Sequence, residues 1–337
     1  MPGCIERPAR DRNFSPWPSL FLMMPPIARI FTSILLAGAV AAPAASAAPP
    51  VIGLADQNAA AYSNPLFLQM GITYGRVTIP WDAALKPGFR RNDADAVVDA
   101  MVTHGVEPLG VIGSRASGKP TAAQYRRGVT ALVKRYPAVR YWAPWNETNL
   151  IPFTKANPKM VAGWSRTLSA ACRKAKPRCT ATSPTVLDDA SIGSWFRQYL
   201  SHLPRSQRPK IWLMHNYMDA NRFRVSNGKA FLRSARGQRA QVWIVETGGL
   251  IRGNGKNARR WKKGESQQVK VFNWLTGSLA RQYPVVRRVY IYQWQAPPAG
   301  NWDSGILSPS GKPRPVYGTM VNYLKENPES LKASPGS

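Results

Sequence analysis

The 337-residue sequence predicts a single α/β domain folded as a (β/α)8 barrel, and three observations support this fold class. Eight short apolar runs alternate with eight amphipathic stretches, a pattern typical of parallel strands joined by crossover helices. The chain is longer than the about 250 residues that such a barrel needs. No Gly-x-Gly-x-x-Gly pattern follows the first predicted strand, which disfavours an open dinucleotide-binding sheet. Beyond residue 50 no Gly-, Ser- or Pro-rich linker divides the sequence.

The order of the predicted elements follows from these runs. The predicted strands are residues 51–55, 74–80, 107–112, 141–144, 180–184, 210–215, 241–246 and 288–293. The predicted helices are residues 64–71, 91–104, 121–136, 158–176, 190–202, 228–237, 265–283 and 315–327. Thr121, directly after Pro120, is a good helix start, and basic Lys134 and Arg135 suit the end of that helix.

Residues 1–47 are predicted to be a leader and secretory signal peptide rather than part of the fold. Arg29 precedes an apolar stretch over residues 30–42, and Ala45-Ser46-Ala47 is typical of a cleavage site. The apolar stretch is shorter than the about 20 residues of a membrane span, so stable membrane insertion is not expected, although an N-terminal anchor is the alternative. We expect synthesis to start at Met23 or Met24. The prediction is a secreted chain with its catalytic barrel at residues 48–330 and a flexible tail at residues 331–337.

The three cysteines predict one disulfide. Cys4 lies in the leader, whereas Cys172 and Cys179 flank a short Lys-Pro turn, which favours a local bond between them in a secreted chain. With three histidines in the whole sequence, a structural zinc site is not expected. The sequence indicates no metal and no cofactor.

The composition leaves the partner open. The net charge is +29, and the leader's four arginines and two acids leave about +27 on the mature chain. Such a charge fits an acidic polysaccharide, an anionic cell envelope or nucleic acid, but a simple bias toward arginine on a solvated surface explains it equally well. The twelve tryptophans include candidate sugar-stacking platforms, although core packing is the more common role.

Two glutamates follow predicted strands at a regular spacing. Glu147 ends the fourth strand and Glu246 ends the seventh, 99 residues apart, or three units of 33. A barrel of about 250 residues averages about 31 residues a unit, so both carboxylates are expected at one mouth. Paired carboxylates cut glycosidic bonds, with retention at a separation of about 5–5.5 Å and inversion at about 6.5–9.5 Å.

Neighbouring strand ends suggest the roles of these two residues. Arg76 and Tyr217 are placed to keep Glu246 ionised, as a nucleophile requires. Trp145 and the apolar loop at residues 150–153 are expected to raise the pKa of Glu147, as an acid requires.

Three further residues are candidate substrate contacts. Asn146 is placed to bind a sugar 2-OH, and Trp294 to form the floor of the sugar site. His215 taken alone is more often a hydrogen-bonded core histidine, and Trp145 and Trp243 are interpreted as packing residues.

These motifs resemble clan A glycoside hydrolases over nearly the whole mature chain. In that clan an Asn-Glu pair ends strand 4, with the Glu as acid/base, and a Glu ending strand 7 is the nucleophile; Asn146-Glu147 and Glu246 match. The resemblance implies a retaining mechanism and a β-type linkage.

Further matches point to individual families of the clan. Arg76 resembles the strand-2 arginine of family 5 cellulases, His215-Asn216-Tyr217 their strand-6 His-x-Tyr, and Trp294 their strand-8 tryptophan. Residues 304–307 and 311–317 resemble the final loop of families 5 and 39. The third strand ends Gly113-Ser114-Arg115, without the His that many family 5 enzymes carry there, which leaves the family open.

The sequence therefore predicts a secreted, monomeric retaining glycoside hydrolase acting on a β-linked polysaccharide or oligosaccharide. The arginine-rich residues 252–263, just after the nucleophile, favour an anionic glycan. A non-catalytic carbohydrate- or polyanion-binding barrel is the alternative, and nucleic acid is the less favoured polyanion. Hydrolysis is not separated from transglycosylation at this level.

Overall fold

The computed structural model describes residues 48–113, 118–150, 157–255 and 258–332. The predicted leader, residues 114–117, 151–156 and 256–257, and most of the predicted tail lie outside the described residues. Eleven strands are described: β1 (Val51–Ala55), β2 (Tyr74–Pro80), β3 (Glu107–Gly113), β4 (Tyr141–Ala143), β5 (Thr180–Ala181), β6 (Thr185–Leu187), β7 (Ile211–His215), β8 (Gln241–Thr247), β9 (Arg252–Gly253), β10 (Val286–Ile291) and β11 (Trp302–Asp303).

Nine of these strands form one parallel sheet that curls into a barrel. Their order is β5-β4-β3-β2-β1-β10-β8-β7-β6. Its two ends, β5 and β6, are halves of one barrel strand, because the residues between them bridge the gap. The Thr182 amide donates to the Trp142 carbonyl at 2.9 Å, and the Ser183 amide donates to the Ile211 carbonyl at 2.9 Å. Pro184 has no amide hydrogen, which accounts for the break. The predicted (β/α)8 fold is confirmed.

The eight predicted helices are present between the strands with small differences in their ends, and two short helices, Ala59–Tyr62 and Tyr217–Ala220, were not predicted. They are α1 (Ala59–Tyr62), α2 (Pro65–Gln69), α3 (Phe89–Thr103), α4 (Ala122–Arg135), α5 (Pro158–Lys174), α6 (Ile192–Ser201), α7 (Tyr217–Ala220), α8 (Lys229–Gly237), α9 (Glu265–Asn273), α10 (Ala280–Gln282) and α11 (Pro315–Glu326). A π-helical stretch, Trp274–Leu279, joins α9 to α10. Short 3-10 turns occur at Arg205–Gln207, Ala258–Arg260 and Pro328–Leu331. Thr121 caps α4 in a reciprocal capping box with Gln124.

Most of the buried apolar side chains belong to two layers. The inside of the barrel is filled by residues such as Leu109, Leu213 and Trp243, and a larger layer between sheet and helices contains Trp142, Trp145 and Trp212. Those four tryptophans are among the largest fully buried side chains. Trp145 stacks on Trp164 with ring centroids 4.5 Å apart. The packing role predicted for Trp145 and Trp243 is confirmed.

The predicted disulfide is present. Cys172, near the end of α5, is bonded to Cys179, just before β5. The bond joins the outer helix to the barrel strand that follows it.

None of the described helices has both the length and the apolar character needed to cross a membrane.

A second, two-stranded sheet stands beyond the C-terminal ends of the barrel strands. β9 pairs antiparallel with β11, with Trp302 opposite Gly253 and Asp303 opposite Arg252. Asp303 is anchored by Arg314, whose Nη1 and Nη2 donate to its two carboxylate oxygens at 2.8 and 2.9 Å. The loops that follow β8 and β10 are thereby tied together on one side of the barrel mouth.

Candidate active site

Six of the predicted site residues meet at the C-terminal mouth of the barrel. Arg76 lies within β2, His215 ends β7, Glu246 is in β8 and Tyr217 begins α7. Asn146 and Glu147 follow β4 directly. For Glu147, His215 and Glu246, one side-chain nitrogen or oxygen from each lies within 4.8 Å of those of the other two. The register of the parallel strands thus brings residues from distant parts of the chain to one place.

Glu246 is held by two donors. Nη1 of Arg76 donates to its Oε2 at 2.8 Å, and the Tyr217 hydroxyl donates to Oε1 at 3.1 Å. Arg76 is 2% exposed, so its charge is weakly screened by solvent. Burial, followed by the charge of Glu246, raises the pKa of Tyr217 well above its ordinary value, so the phenol remains a donor. These two donors fix the position of the Glu246 side chain at the mouth of the barrel.

Glu147 faces a different set of groups. Its Oε1 lies 3.0 Å from Nδ1 of the fully buried His215. Its backbone amide donates to Oγ1 of Thr185 at 2.7 Å, in a left-handed conformation with φ of 45°. That conformation costs a non-glycine residue about 1–3 kcal/mol, and the Thr185 bond helps to hold it.

The pKa of Glu147 departs from the expectation drawn from the sequence. Burial acts to raise this pKa, but the hydrogen bond and charge of His215, with the charge of Arg76, outweigh it and hold the pKa below its ordinary value. Trp145 packs in the outer core layer instead, and residues 151–153 lie outside the described residues. The predicted upward shift is therefore wrong for the ligand-free protein, because the buried histidine was not placed beside Glu147.

Asn146 joins the two halves of the site. Its Oδ1 accepts from Nη2 of Arg76 at 2.6 Å and from Oγ1 of Thr185 at 3.2 Å. Both bonds go to the oxygen, so the side-chain NH2 group is what Asn146 can offer a ligand.

Glu147, His215 and Glu246 are also the one group among the described residues with ligand atoms close enough to share a metal ion. Arg76 lies 2.8 Å from Glu246 and already neutralises that carboxylate. A cation at this position would be repelled by the guanidinium, so the arrangement suits paired carboxylates better than a metal centre.

A cleft of about 730 Å3 opens over the two carboxylates. It is lined by Glu147, Leu150, Leu187, Tyr217, Met218, Glu246, Gly255, Ala258, Trp261, Tyr292, Gln293, Pro297 and Trp302. Its aromatic wall is built across the β9–β11 sheet, where Trp302 contacts Tyr217 edge-on with ring centroids 4.9 Å apart. The volume lies within the about 300–1,000 Å3 of small-molecule sites.

Trp294 is not part of this cleft, which corrects the role predicted for it. Its side chain is 2% exposed and packs edge-on against Phe67 and Tyr317, with centroids 5.7 and 6.3 Å away. Tyr292, two residues earlier, lines the cleft in its place. β10 ends at Ile291, so strand alternation does not determine where the following side chains point.

Sequence reasoning also missed Thr185, Trp261 and Trp302. Thr185 starts β6 beside the Asn-Glu pair, and its polar side chain in a short buried strand was the available signal. Trp261 and Trp302 come from separate loops and lie 6.5 Å apart, centroid to centroid. Their approach depends on the β9–β11 pairing, for which two-residue strands give no periodic signal.

Comparisons with known proteins agree with the fold. No protein-family model matches the chain, and no curated protein sequence matches it. Among solved structures, it is similar to a glucosidase from Croceicoccus marinus, with a TM-score of 0.62 and 14% identity over 82% of this chain and 68% of that chain. It is also similar to fungal β-1,4-galactanases, with a TM-score of 0.61 and 11% identity over 81% of this chain and 99% of that chain.

A third similar structure is larger. The chain matches a β-glucuronidase from Lactobacillus rhamnosus with a TM-score of 0.55 and 13% identity, over 85% of this chain and 51% of that one. The chain therefore spans about half the length of that enzyme. The fold is the α/β barrel found in TIM-barrel glycosidases of clan A, and at these identities the likeness establishes the fold.

Proposed function

We propose that the protein is a retaining glycoside hydrolase that cleaves β-linked glycosidic bonds, with Glu147 as acid/base and Glu246 as nucleophile. The observation that carries the proposal is the pair of carboxylates at one cleft, with side-chain oxygens within 4.8 Å. Retaining enzymes hold their two carboxyl groups about 5–5.5 Å apart, whereas inverting enzymes leave about 6.5–9.5 Å for a water molecule between them. The closeness of the nearest Glu147 and Glu246 oxygens is the basis for proposing retention.

The different partners of the two carboxylates support these roles. Arg76 and Tyr217 donate to Glu246 and orient its carboxylate for attack on the anomeric carbon. Glu147 gives its proton to the leaving oxygen as that bond breaks and the bond to Glu246 forms. Glu147 then takes a proton from water, which attacks the anomeric carbon and releases Glu246.

His215 connects the two steps electrostatically. Its Nδ1 lies 3.0 Å from Glu147 and 3.8 Å from Glu246. When Glu246 loses its charge by forming the covalent bond, the imidazole still faces Glu147 and stabilises the carboxylate that must act as base. The low pKa of Glu147 in the free protein suits this second step.

The proposal is tested with 4-nitrophenyl β-glycosides and a polysaccharide panel, reading product stereochemistry by NMR. We expect retention, and a loss of about 10³-fold or more in kcat for Glu147→Gln or Glu246→Gln on natural linkages. With azide, Glu147→Ala should form a β-glycosyl azide and Glu246→Ala an α-glycosyl azide, because the small anion enters from the vacated side. Glu326→Gln, on the exposed end of α11, is the matched control. Inverted product, or equal activity of all the variants, would contradict the assignment.

The charge of the protein motivates a narrower proposal, an anionic glycan. Arg252, Arg259, Arg260, Lys262 and Lys263 are exposed on the segment that contributes Ala258 and Trp261 to the cleft. None of these cations is among the described residues that line the cleft. A preference for an anionic glycan would therefore come from contacts at the outer rim of the cleft. Loss of activity on a uronic-acid polymer with added salt, but not on a neutral one, would support this; equal salt dependence would oppose it.

We also propose that the enzyme is secreted. The signal-like residues 1–47 and the Cys172–Cys179 bond support this, since disulfides persist mainly in oxidising compartments. Fractionation of cells and medium, with N-terminal sequencing of the medium protein, tests both export and cleavage near Ala47.

A further inference from the structure

Two leucines that line the cleft are held close to the backbone of the proposed acid/base. Leu150 follows Glu147 by one turn, its amide donating to the Glu147 carbonyl at 3.1 Å. Leu187, at the end of β6, is fixed to the same turn through Asn149, whose Oδ1 accepts from the Leu187 amide at 2.7 Å. Both leucine side chains line the cleft.

A third apolar side chain extends this surface toward the next strand. Met218 also lines the cleft, and its amide donates at 3.1 Å to Asp188, the residue after Leu187. Asp188 is fully buried and also accepts from the Asp219 amide at 2.7 Å. The backbone positions of Leu187 and Met218 are therefore fixed relative to one another.

Two tryptophans extend this apolar surface, and the charged residues of the cleft are the two glutamates. Trp261 and Trp302 stand on the side of the cleft formed by the β9–β11 sheet. Of the described residues that line the cleft, Glu147 and Glu246 are the only charged ones. The donors and cation that suit a sugar, Arg76, Asn146 and Tyr217, instead surround Glu246 or bridge toward it.

The direction of proton transfer shows which part of a substrate would contact the apolar residues near Glu147. A general acid protonates the leaving oxygen, so the leaving group must lie on the side of Glu147. A sugar there would need polar partners for its hydroxyl groups, because buried polar groups without hydrogen bonds are costly. Leucine and methionine side chains offer none, whereas they favour burial of hydrocarbon.

We propose that the leaving-group side of the cleft binds an apolar aglycone, so that the preferred substrates are alkyl or aryl β-glycosides rather than sugar–sugar linkages. This inference rests on the proposed function and narrows its substrate class. In the first step Glu147 protonates the glycosidic oxygen, the bond from the anomeric carbon to that oxygen breaks, and the neutral alcohol remains in the apolar pocket. The Glu246 carboxylate supplies the electron pair of the new bond to the anomeric carbon, and the electron pair of the broken bond stays on the leaving oxygen.

The test uses leaving groups that differ in apolar length while their acidity is nearly constant. The sugar is the one that the 4-nitrophenyl panel favours, and the series is butyl, pentyl, hexyl and octyl β-glycosides with a disaccharide of the same sugar. We expect kcat/KM to rise about two- to four-fold for each methylene until the cleft is filled, and the disaccharide to be slower than the hexyl glycoside. A flat series, or a faster disaccharide, from an enzyme active on the panel overturns the inference and leaves the proposed function standing.

Matched variants locate the effect. Leu187→Asn should reduce the rise in kcat/KM per methylene to less than half, since asparagine has a similar shape to leucine but removes apolar surface. If the Leu187→Asn protein does not fold, Leu150→Asn replaces it in the test. Leu68→Asn replaces an exposed leucine of α2, 42% exposed, and should leave the increment unchanged. Equal effects of Leu187→Asn and Leu68→Asn would count against the pocket.

A binding measurement keeps the inference testable if no glycoside is cleaved. Octyl and butyl β-glucoside, below the micelle concentration, are titrated into Glu246→Gln protein with tryptophan fluorescence as the signal, since Trp261 and Trp302 line the cleft. We expect octyl β-glucoside to bind at least about tenfold more tightly. Absence of cleavage on the whole panel would defeat the proposed function, whereas equal affinities of the two glucosides would defeat this inference.

Discussion

Nδ1 of His215 lies 3.0 Å from Oε1 of Glu147. The imidazole is fully buried, and its Nε2 has no hydrogen-bond partner among the described residues. Packing therefore directs the one hydrogen-bonded nitrogen at the carboxylates. The consequence is a Glu147 whose pKa is held below its ordinary value although burial acts to raise it.

The pH dependence should report this contact. In the proposed mechanism Glu147 carries a proton in the first step, so we expect activity to fall as pH rises through the pKa of Glu147. Since His215 lowers that pKa, His215→Asn should raise it and move the alkaline limb of kcat/KM to higher pH. The measurement is a pH profile of kcat/KM on the best 4-nitrophenyl glycoside. His202→Asn, an exposed histidine after α6, should leave the profile in place; an unmoved limb in His215→Asn would argue against the coupling.

Tyr217 should matter through its hydroxyl group. It donates to Oε1 of Glu246 at 3.1 Å, and a hydrogen bond to a charged group is worth about 1.5–3 kcal/mol. Tyr217→Phe should therefore lower kcat/KM by roughly 10- to 100-fold while the melting temperature changes little. Tyr323→Phe, whose hydroxyl accepts from Ser330 at 3.3 Å away from the site, is the control. Equal losses in both variants would show a general effect on the fold.

The sequence predicted the barrel because each strand is a buried run flanked by an amphipathic helix. Glu147 and Glu246 lie at one cleft, as their spacing predicted, because the C-terminal ends of parallel strands meet at one end of the barrel. What failed depends on tertiary contacts: Trp294 turns into the core after β10 ends, and His215 reverses the expected pKa shift of Glu147. The wall bearing Trp302 requires pairing between two-residue strands, which no local pattern encodes.

Asp95 should contribute to stability in a pH-dependent way. Arg135 donates to both of its carboxylate oxygens, and Tyr136 donates at 2.9 Å. Hydrogen bonding to Arg135 is the main cause that lowers the pKa of Asp95. A folded-state pKa below the unfolded one gives stability that is fully present above the unfolded value of about 3.9. That stability is lost as pH falls through the folded pKa.

Asp95→Asn should thus reduce the free energy of unfolding at pH 7 by at most about 1 kcal/mol, since the pair is partly exposed. The difference from wild type should shrink as the solution is acidified below about pH 4. Urea denaturation at several pH values measures it. Asp99→Asn, exposed on the same helix, should show no comparable trend; a difference that grows on acidification would contradict the sign.

Arg288 closes the opposite, N-terminal end of the barrel. It is 3% exposed, and its guanidinium carbon lies 3.9 Å from the Trp243 ring centroid and 4.4 Å from that of Tyr74. Nη1 also donates to Glu107 at 3.1 Å. Tyr74 and Glu107 begin β2 and β3, so one cation connects the starts of several strands.

Replacing Arg288 should lower the free energy of unfolding without changing the catalytic rate. Arg288→Met keeps much of the volume but removes the ring contacts and the ion pair, so we expect unfolding to become easier by about 2–3 kcal/mol. The neighbouring Arg287 is exposed, and Arg287→Met should change stability by no more than about 0.5 kcal/mol. Urea denaturation of both variants measures the difference. Because the proposed catalytic residues, Glu147 and Glu246, lie at the other end of the barrel, kcat at 25 °C should stay within about two-fold of wild type. Equal destabilisation by both substitutions, or a selective loss of kcat in Arg288→Met, would contradict a purely structural role.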